Sequence, residues 1–589
     1  MTGDSRLDSP ESAGAVSTTA VFGNQSWVQK LIWIFVILAG LYGLYQAISL
    51  AWVCDDAFIS FRYAKNLIDG HGLVFNIGER VEGYSNFLWT IMIAGAMLFG
   101  SEPILFAQVV GIVSYIFTFL ILVFISVGLS RQSKAGILII PIAAVAIMLQ
   151  FDSQVWATSG LETAWVTALV TLAFAILIMA ESKKYFLLAG VVLILAVLSR
   201  PDMMIFYITA LPYILLQSKR PVNNFIYYLL PLLIIFLPYW IIRFLYYGYI
   251  FPNAYYAKLA YLPWYTQGLI YLWIYLKTNY SLLLLILVIP LIISRLTARF
   301  KKEKCFDSRI ERAWLLGILF VGPFTFYLVR IGGDFMHARF FIPMTPICFL
   351  ILETAISEFV KKSRTRYIIS IGLALSVLFR WEQFPEERYS ISGIYNEFDS
   401  YKAEDIERAR IDGERLGKYL LDKKAVVGFQ GGKAKMIYYS ELPAADNYTE
   451  GLTDEYIANP PYEDRGRFGH ERGIVEKYMA ERKINFLTID IGPVTPNRVG
   501  VISFDGTILP IKHYDAQLME ELKKYAEVEF VDFVKFLDDY ISSINRISTR
   551  QLQADYEQFR DYYFSFNDDP ERQNIFVRVL EDRMKQSSQ

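Results

Sequence analysis

Residues 31–53, LIWIFVILAGLYGLYQAISLAWV, contain no charged side chain. Roughly 20 apolar residues in a helix cross the hydrocarbon core of a bilayer, so this run predicts a membrane span. Comparable runs recur to about residue 380, and beyond it the chain turns polar. Over 589 residues, 54% are hydrophobic and 20% charged, with a mean hydropathy of +0.33. That is too apolar for one soluble domain. No signal-peptide cleavage site follows the first run, which therefore reads as a retained anchor.

Charge is balanced, 57 basic against 58 acidic residues, and points to no nucleic-acid partner. Cys54, Cys305 and Cys348 lie far apart with no metal-type spacing, and Cys54 and Cys348 read as packing residues at the edges of apolar runs.

Basic loops tend to stay in the cytoplasm, and that rule orients the chain. Clusters at 131–134, 182–184, 218–220, 295–304 and 361–366 fit about 11 spans in alternation. The N-terminus is then cytoplasmic and the polar tail extracytoplasmic. The stretch 85–100 is short for a span and would break the alternation, so it reads as an interfacial or re-entrant helix within a first outer loop, 54–100. The predicted organisation is a cytoplasmic N-terminus (1–28), a transmembrane domain (29–380) and a soluble extracytoplasmic domain (381–589).

The same alternation gathers unusual stretches on the outer face: DSQVWATSGLE (152–162), SRPDMM (199–204), RFLYYGYIFPNAYYAK (243–258) and RIGGDFMHAR (330–339). They mix acids, bases and aromatics, as an outward-facing active site needs. Asp55 and Asp56 stand where water gives way to headgroups. Two adjacent carboxylates repel, so one should hold its proton more tightly, and such a group can take a proton from an attacking hydroxyl. Helix capping is the plain alternative for these two residues.

In GHGLVFNIGERVEGYSNFLW (70–89), Gly70, Gly72, Gly78 and Gly83 punctuate turns among Phe75, Tyr84, Phe87 and Trp89. Glu79, Arg80 and Glu82 could bind a polar headgroup or pair with one another. Arg200, Lys258 and Arg339 are outer-face cations that suit a phosphate, which arginine can bind in bidentate fashion. Asp334 and His337 fall beside Arg339. GGDF (332–335) resembles a cyclic-dinucleotide synthase signature, and GFQGGK (428–433) resembles a phosphate-binding loop. The first is a short loop between spans, and the second is one residue short and lacks the following Ser or Thr.

In the tail, 424–430, 484–490 and 529–536 read as strands, with helices near 403–422 and 468–483. A small α/β domain is expected. Asp446, Asp454, Arg465, Arg467 and His470 could guide an acceptor there or serve structure.

Taken in order, DDAFISFRYAKNLIDGHGLVFNIGERVEGYSNFLW, SGLET, LSRPD, FPNAYYAK and GGDFMHARFFIP resemble the C-superfamily (GT-C) of bacterial membrane glycosyltransferases. The likeness is nearest to the mycobacterial arabinofuranosyltransferases and their relatives. It implies transfer of a sugar from a polyprenyl-phosphate donor to a cell-envelope glycan or glycolipid outside the inner membrane, with inversion. It implies Asp55 as base, with Asp56 as its alternate. It places the donor phosphate on Arg200, Lys258 and Arg339, with Lys65 and Arg243 as further candidates. Glu79, Glu82, Tyr84, Asp334 and His337 are candidates for acceptor or sugar. No cofactor is assigned. Some members use a divalent cation, which Asp55 and Asp56 could hold. Compared with the mycobacterial members this chain is less basic, so arabinofuranose is one option among sugars. A transporter or flippase of polyprenyl-linked sugars is the main rival. It predicts charges within spans and paired broken helices, whereas the charges here gather at span ends without an internal repeat. A scaffold or sensor with an outer domain is the third reading, and it leaves the loop charges without a task.

Overall fold

The computed structural model describes residues 27–130, 140–217, 220–302, 308–379, 390–429, 432–446, 476–488 and 498–587, with residues 306, 384 and 495 between them. The first helices are α1 (Trp27–Ser49), α2 (Ala57–Ile68), α3 (Phe87–Leu98) and α4 (Pro103–Ser130). Among the described residues, six helices are long and apolar enough to cross a membrane: Gln29–Ser49, Pro103–Ser130, Pro221–Tyr247, Tyr280–Lys301, Arg309–Ile331 and Ile342–Phe359. Helix Thr163–Met179 and α3 are apolar but shorter. At 1.5 Å per residue α3 is about 18 Å long, well short of the hydrocarbon core.

Leu31, Ile37 and Leu41 of α1 are each more than half exposed, as a lipid-facing stripe requires. Ile342–Phe359, by contrast, is buried along most of its length. The chain is a polytopic α-helical membrane protein with a C-terminal α/β region.

That region holds a hairpin, β1 (Ser390–Ile391) with β2 (Ile394–Tyr395), and two three-stranded sheets. In the first, β3 (Val426–Phe429) lies between β4 (Ala444–Asp446) and β5 (Ile484–Thr488), all parallel, with Val427 opposite both Ala444 and Phe486. In the second, β6 (Val501–Phe504) pairs antiparallel with β7 (Thr507–Pro510) and β8 (Val528–Phe530).

The strand expected over 529–536 ends at Phe530, and helix Phe533–Ser542 follows. Asp532 causes the switch: its carboxylate accepts from the backbone N–H groups of Val534 and Lys535 and caps the helix. The helix expected near 403–422 is present as Ala403–Leu420. Only Glu476–Glu481 of the one expected near 468–483 is described. The basic run 131–134 and residues Asp454, Arg465, Arg467 and His470 lie outside the described residues.

Helix α2 decides how the two parts meet. Residues Ala57 to Ala64 are all buried, between α3 and the C-terminal helix Ala434–Ser440. A helix buried all round has lost its solvent face to packing, so the first loop is the joint between bundle and α/β region.

Candidate functional site

Asp55 and Asp56 are neighbours with different surroundings. The Cys54 N–H donates to Ser159 O (2.9 Å), and the chain turns into α2 through bonds from Ala57 N to Cys54 O and from Phe58 N to Asp55 O. Asp55 is buried and accepts from the backbone N–H groups of Ala434 (3.0 Å) and Lys435 (3.1 Å), at the start of helix Ala434–Ser440. Asp56 makes no side-chain capping bond to α2 and borders a cavity of about 410 Å³.

Around that cavity stand the ends of four further segments. Arg339 Nη1 lies 3.9 Å from Asp56 Oδ2 and 3.9 Å from Asp334 Oδ2, and Arg339 Nη2 lies 3.3 Å from Glu162 Oε1. Arg200 Nη1 is 3.7 Å from the same Glu162 oxygen, and its Nε donates to Asp202 Oδ1 at 2.9 Å. The Arg200 guanidinium stacks on Phe340, 4.2 Å from the ring centre, and Lys258 Nζ lies 5.2 Å from that of Phe335. Tyr84 also borders the cavity.

The loop that carries Asp334 leaves helix Arg309–Ile331 through Gly332 and Gly333, at φ +95° and +81°. A Cβ on Gly333 would stand 2.4 Å from the Tyr271 ring, so only glycine lets the loop turn there. Gly160, at φ +80°, lets the 157–162 loop approach Ala57 and Val53. Glu162 is then oriented by Asn86 Nδ2 (3.0 Å), whose Oδ1 accepts from Ser60 Oγ (3.0 Å).

Charge follows geometry. Burial raises the proton affinity of Asp56, while Lys258 and Arg339 pull it down and Asp334 and Glu162 push it up. Burial would raise Glu162 too, but Arg339, Arg200 and Asn86 outweigh it and hold the carboxyl below its ordinary range. Among the described residues, three buried polar atoms of the cavity residues find no hydrogen-bond partner: Arg200 Nη1, Arg339 Nε and Asp334 Oδ2. Leaving a buried polar group unpaired costs about 1–3 kcal/mol, and more when it is charged. Arg200 Nη1 and Asp334 Oδ2 each lie just beyond hydrogen-bond range of an opposite charge, on Glu162 and Arg339 respectively.

Asp56, Tyr84, Arg200, Lys258, Asp334 and Arg339 are brought together. Asp55, Lys65, Glu79, Glu82, Arg243 and His337 do not border this cavity. Lys65 pairs with Asp69 (3.0 Å) and Glu441 (3.3 Å). Glu79 takes a bidentate pair from Arg482 at 2.7 and 3.0 Å. Glu82 and Arg243 form a buried two-pronged pair, and Arg243 also donates to Tyr249 O and Ile250 O. His337 is buried 3.7 Å from Asp152 and 3.3 Å from Thr278 Oγ1, within a polar network that includes Asn279. Each of these six residues thus has a polar or charged partner away from the cavity.

The metal pair suggested by Asp55 and Asp56 does not fit. Asp55 spends both oxygens on backbone N–H groups, and no group of three or more His, Cys, Asp or Glu side chains among the described residues is arranged to hold an ion. The Gly-rich stretch 428–433 does join a strand to a helix, but the carboxylate of Asp55 fills the anion position at that helix start.

Sequence reasoning missed Glu162, Asp202, Asn86 and Glu397. Glu162 closes the SGLE stretch directly before an apolar run, a signal comparable to that of Asp56. Glu397 had no such signal. It arrives because Tyr395 N donates to Phe335 O (2.6 Å) and His337 N to Tyr395 O (2.9 Å), zipping 394–397 beside the Asp334 loop. Burial, then the charges of Asp56 and Asp334, push Glu397 up to about 8.

Fold and site together define a polytopic helical membrane protein with a charged, partly apolar cavity among its loops and helix ends. Among curated proteins the chain is similar to arabinofuranosyltransferases. The chain is 26% identical over 341 residues to the terminal beta-(1->2)-arabinofuranosyltransferase of Mycobacterium tuberculosis, covering 53% of this chain and 54% of that protein. It is 40% identical over 53 residues to the terminal beta-(1->2)-arabinofuranosyltransferase of Corynebacterium glutamicum, 9% of this chain and 8% of that one. The chain thus matches about half the length of the first relative and a short stretch of the second. No family model matches it. Among solved structures, ArnT from Cupriavidus metallidurans bound to undecaprenyl phosphate aligns over 71% of this chain and 86% of its own, with TM-score 0.47 and 10% identity. The Archaeoglobus fulgidus oligosaccharyltransferase aligns over 77% and 67%, with TM-score 0.43 and 12% identity.

Proposed function

We propose that the chain is a glycosyltransferase of the bacterial inner membrane that moves a sugar from a polyprenyl-phosphate donor to an envelope glycan or glycolipid. The N-terminus is cytoplasmic, and the cavity and C-terminal domain face outward. The observation that carries the reading is that three cations, Arg200, Lys258 and Arg339, border one cavity together with the carboxylate of Asp56. Fixed cations of this kind suit a phosphate, and the Asp56 carboxylate suits an acceptor hydroxyl. Phe251, Tyr327 and Ile331 on the same cavity suit the first isoprene units of a lipid that stays in the bilayer.

Asp56 is the base in this reading, in preference to Asp55, because it alone of the two borders the cavity. The acceptor oxygen bonds to the anomeric carbon as the carbon–oxygen bond to phosphate breaks. The electron pair leaves on polyprenyl phosphate, and Asp56 takes the hydroxyl proton. A single displacement inverts the anomeric carbon. Arg200, Arg339 and Lys258 meet the charge that grows on the leaving phosphate, where fixed cations are most effective. Arabinofuranose is the first sugar to test, because both curated relatives carry it in their names.

The test supplies purified wild type and Asp56→Asn, in detergent or proteoliposomes, with a panel of polyprenyl-phosphate sugars and an envelope glycan extract. Release of polyprenyl phosphate by wild type and not by the variant supports both enzyme and base. Movement of donor across the bilayer without turnover would replace the transferase by a flippase.

A further inference from the structure

Among the described residues, seven charged side chains border the cavity: Asp56, Glu162, Asp202 and Asp334 against Arg200, Lys258 and Arg339. Glu162 is the one that touches both arginines, through a single oxygen 3.3 Å from Arg339 and 3.7 Å from Arg200. Its other oxygen accepts from Asn86, and its side chain is only 3% exposed, so it cannot swing away. Whatever anion the two arginines hold must therefore lie close to a fixed negative charge.

The transferase reading makes that charge consequential. The donor is a phosphodiester with one negative charge. The leaving polyprenyl phosphate is a monoester with a second ionisation near pH 6, by analogy with other phosphate monoesters, so at neutral pH it carries nearly two. A clamp without Glu162 would hold the product more tightly than the donor, and turnover would stall on release. We propose that Glu162 is a positioning residue that tilts the arginine clamp toward the singly charged donor and away from the doubly charged product. This rests on the glycosyltransferase reading above.

The sign of the effect separates this role from a merely structural one. A residue that only holds two arginines in place would weaken binding of every phosphate when lost. Glu162→Gln, which keeps the size and the oxygen that accepts from Asn86, is instead expected to strengthen product binding. Undecaprenyl phosphate is the probe, titrated onto the purified full-length chain in detergent at pH 5.5 and pH 8. A unit charge a few ångströms from the phosphate is worth about tenfold at pH 8, so Glu162→Gln should bind the probe about tenfold more tightly than wild type there. At pH 5.5 the gain should shrink to about threefold, because most of the probe then carries one charge. Glu162→Asp keeps the charge and should discriminate like wild type at both pH values. In steady state, Glu162→Gln should lower kcat and donor KM together, with stronger inhibition by added polyprenyl phosphate.

Weaker probe binding by Glu162→Gln at both pH values overturns the proposal, as does a Glu162→Asp variant that follows Glu162→Gln. If either occurs while wild type still transfers sugar, the transferase reading stands and only the role of Glu162 falls. If wild type neither binds the probe nor turns over any donor, both fall together.

Discussion

Asp55 and Arg62 hold opposite ends of one helix. Asp55 accepts the N–H groups of Ala434 and Lys435 at its start, and Arg62 donates to Ile437 O (2.9 Å) and Leu442 O (2.6 Å) at its finish. Negative charge at a helix N-terminus and positive charge at its C-terminus both oppose the macrodipole, so the pair suits helix Ala434–Ser440 in sign as well as in reach. The charges at the head of the first loop thus anchor the C-terminal region.

Asp55→Ala is therefore expected to act on stability. It leaves two buried backbone N–H groups unpaired, a loss of about 1–3 kcal/mol each at most. Thermal unfolding in detergent and limited proteolysis between the bundle and the C-terminal region are the readouts. Wild-type unfolding and cleavage in the variant would count against the anchor.

Asp56→Asn should do the reverse. Loss of a general base lowers turnover by roughly 10²–10⁴ while the unfolding midpoint stays near that of wild type. Full activity in Asp56→Asn, with donor turnover confirmed in wild type, would move the base elsewhere.

Arg243→Met strands the Glu82 carboxylate in the interior, where both partners are less than a tenth exposed. Breaking a buried pair from one side costs about 3–5 kcal/mol, and replacing both partners by apolar residues costs much less. The combination of Glu82→Leu with Arg243→Met should thus recover much of the lost unfolding midpoint. A donor-phosphate role for Arg243 predicts instead that donor KM rises with stability unchanged.

Glu397 makes a pH prediction. Its folded value of about 8 stands above its ordinary 4.5, so the folded chain binds a proton that the unfolded chain releases. The stabilisation is fully present below about 4.5 and is lost as pH rises through about 8. The unfolding midpoint of wild type should accordingly drop between pH 5 and 8 more than that of Glu397→Gln. Equal slopes would show that Glu397 titrates normally.

The motifs in the loops were legible because span ends are the one place where a membrane chain concentrates charge. Arg200, Lys258, Asp334 and Arg339 stood out as charges beside apolar runs, and the structure gathers them in one cavity. Lys65, Glu79 and Arg243 stood out for the same reason and turned out to be paired. Local sequence does not tell these cases apart, because Glu82 lies 161 residues from Arg243 and Arg482 lies 403 residues from Glu79, and Lys65 adds the distant Glu441 to its near neighbour Asp69. Glu397 was invisible for a related reason: backbone pairing between Tyr395 and Phe335 carries it beside the Asp334 loop.

By itself the sequence determined the membrane class, the helical bundle, the polar α/β tail and the loops in which chemistry could lie. Those follow from hydropathy and local propensity, which act over one span or one strand. Only the tertiary structure decided that Asp56 faces the cavity while Asp55 grips a helix, and that Glu162 stands between two arginines. A charge is functional or structural according to what lies within about 4 Å of it, and that distance is set by packing between segments far apart in the chain.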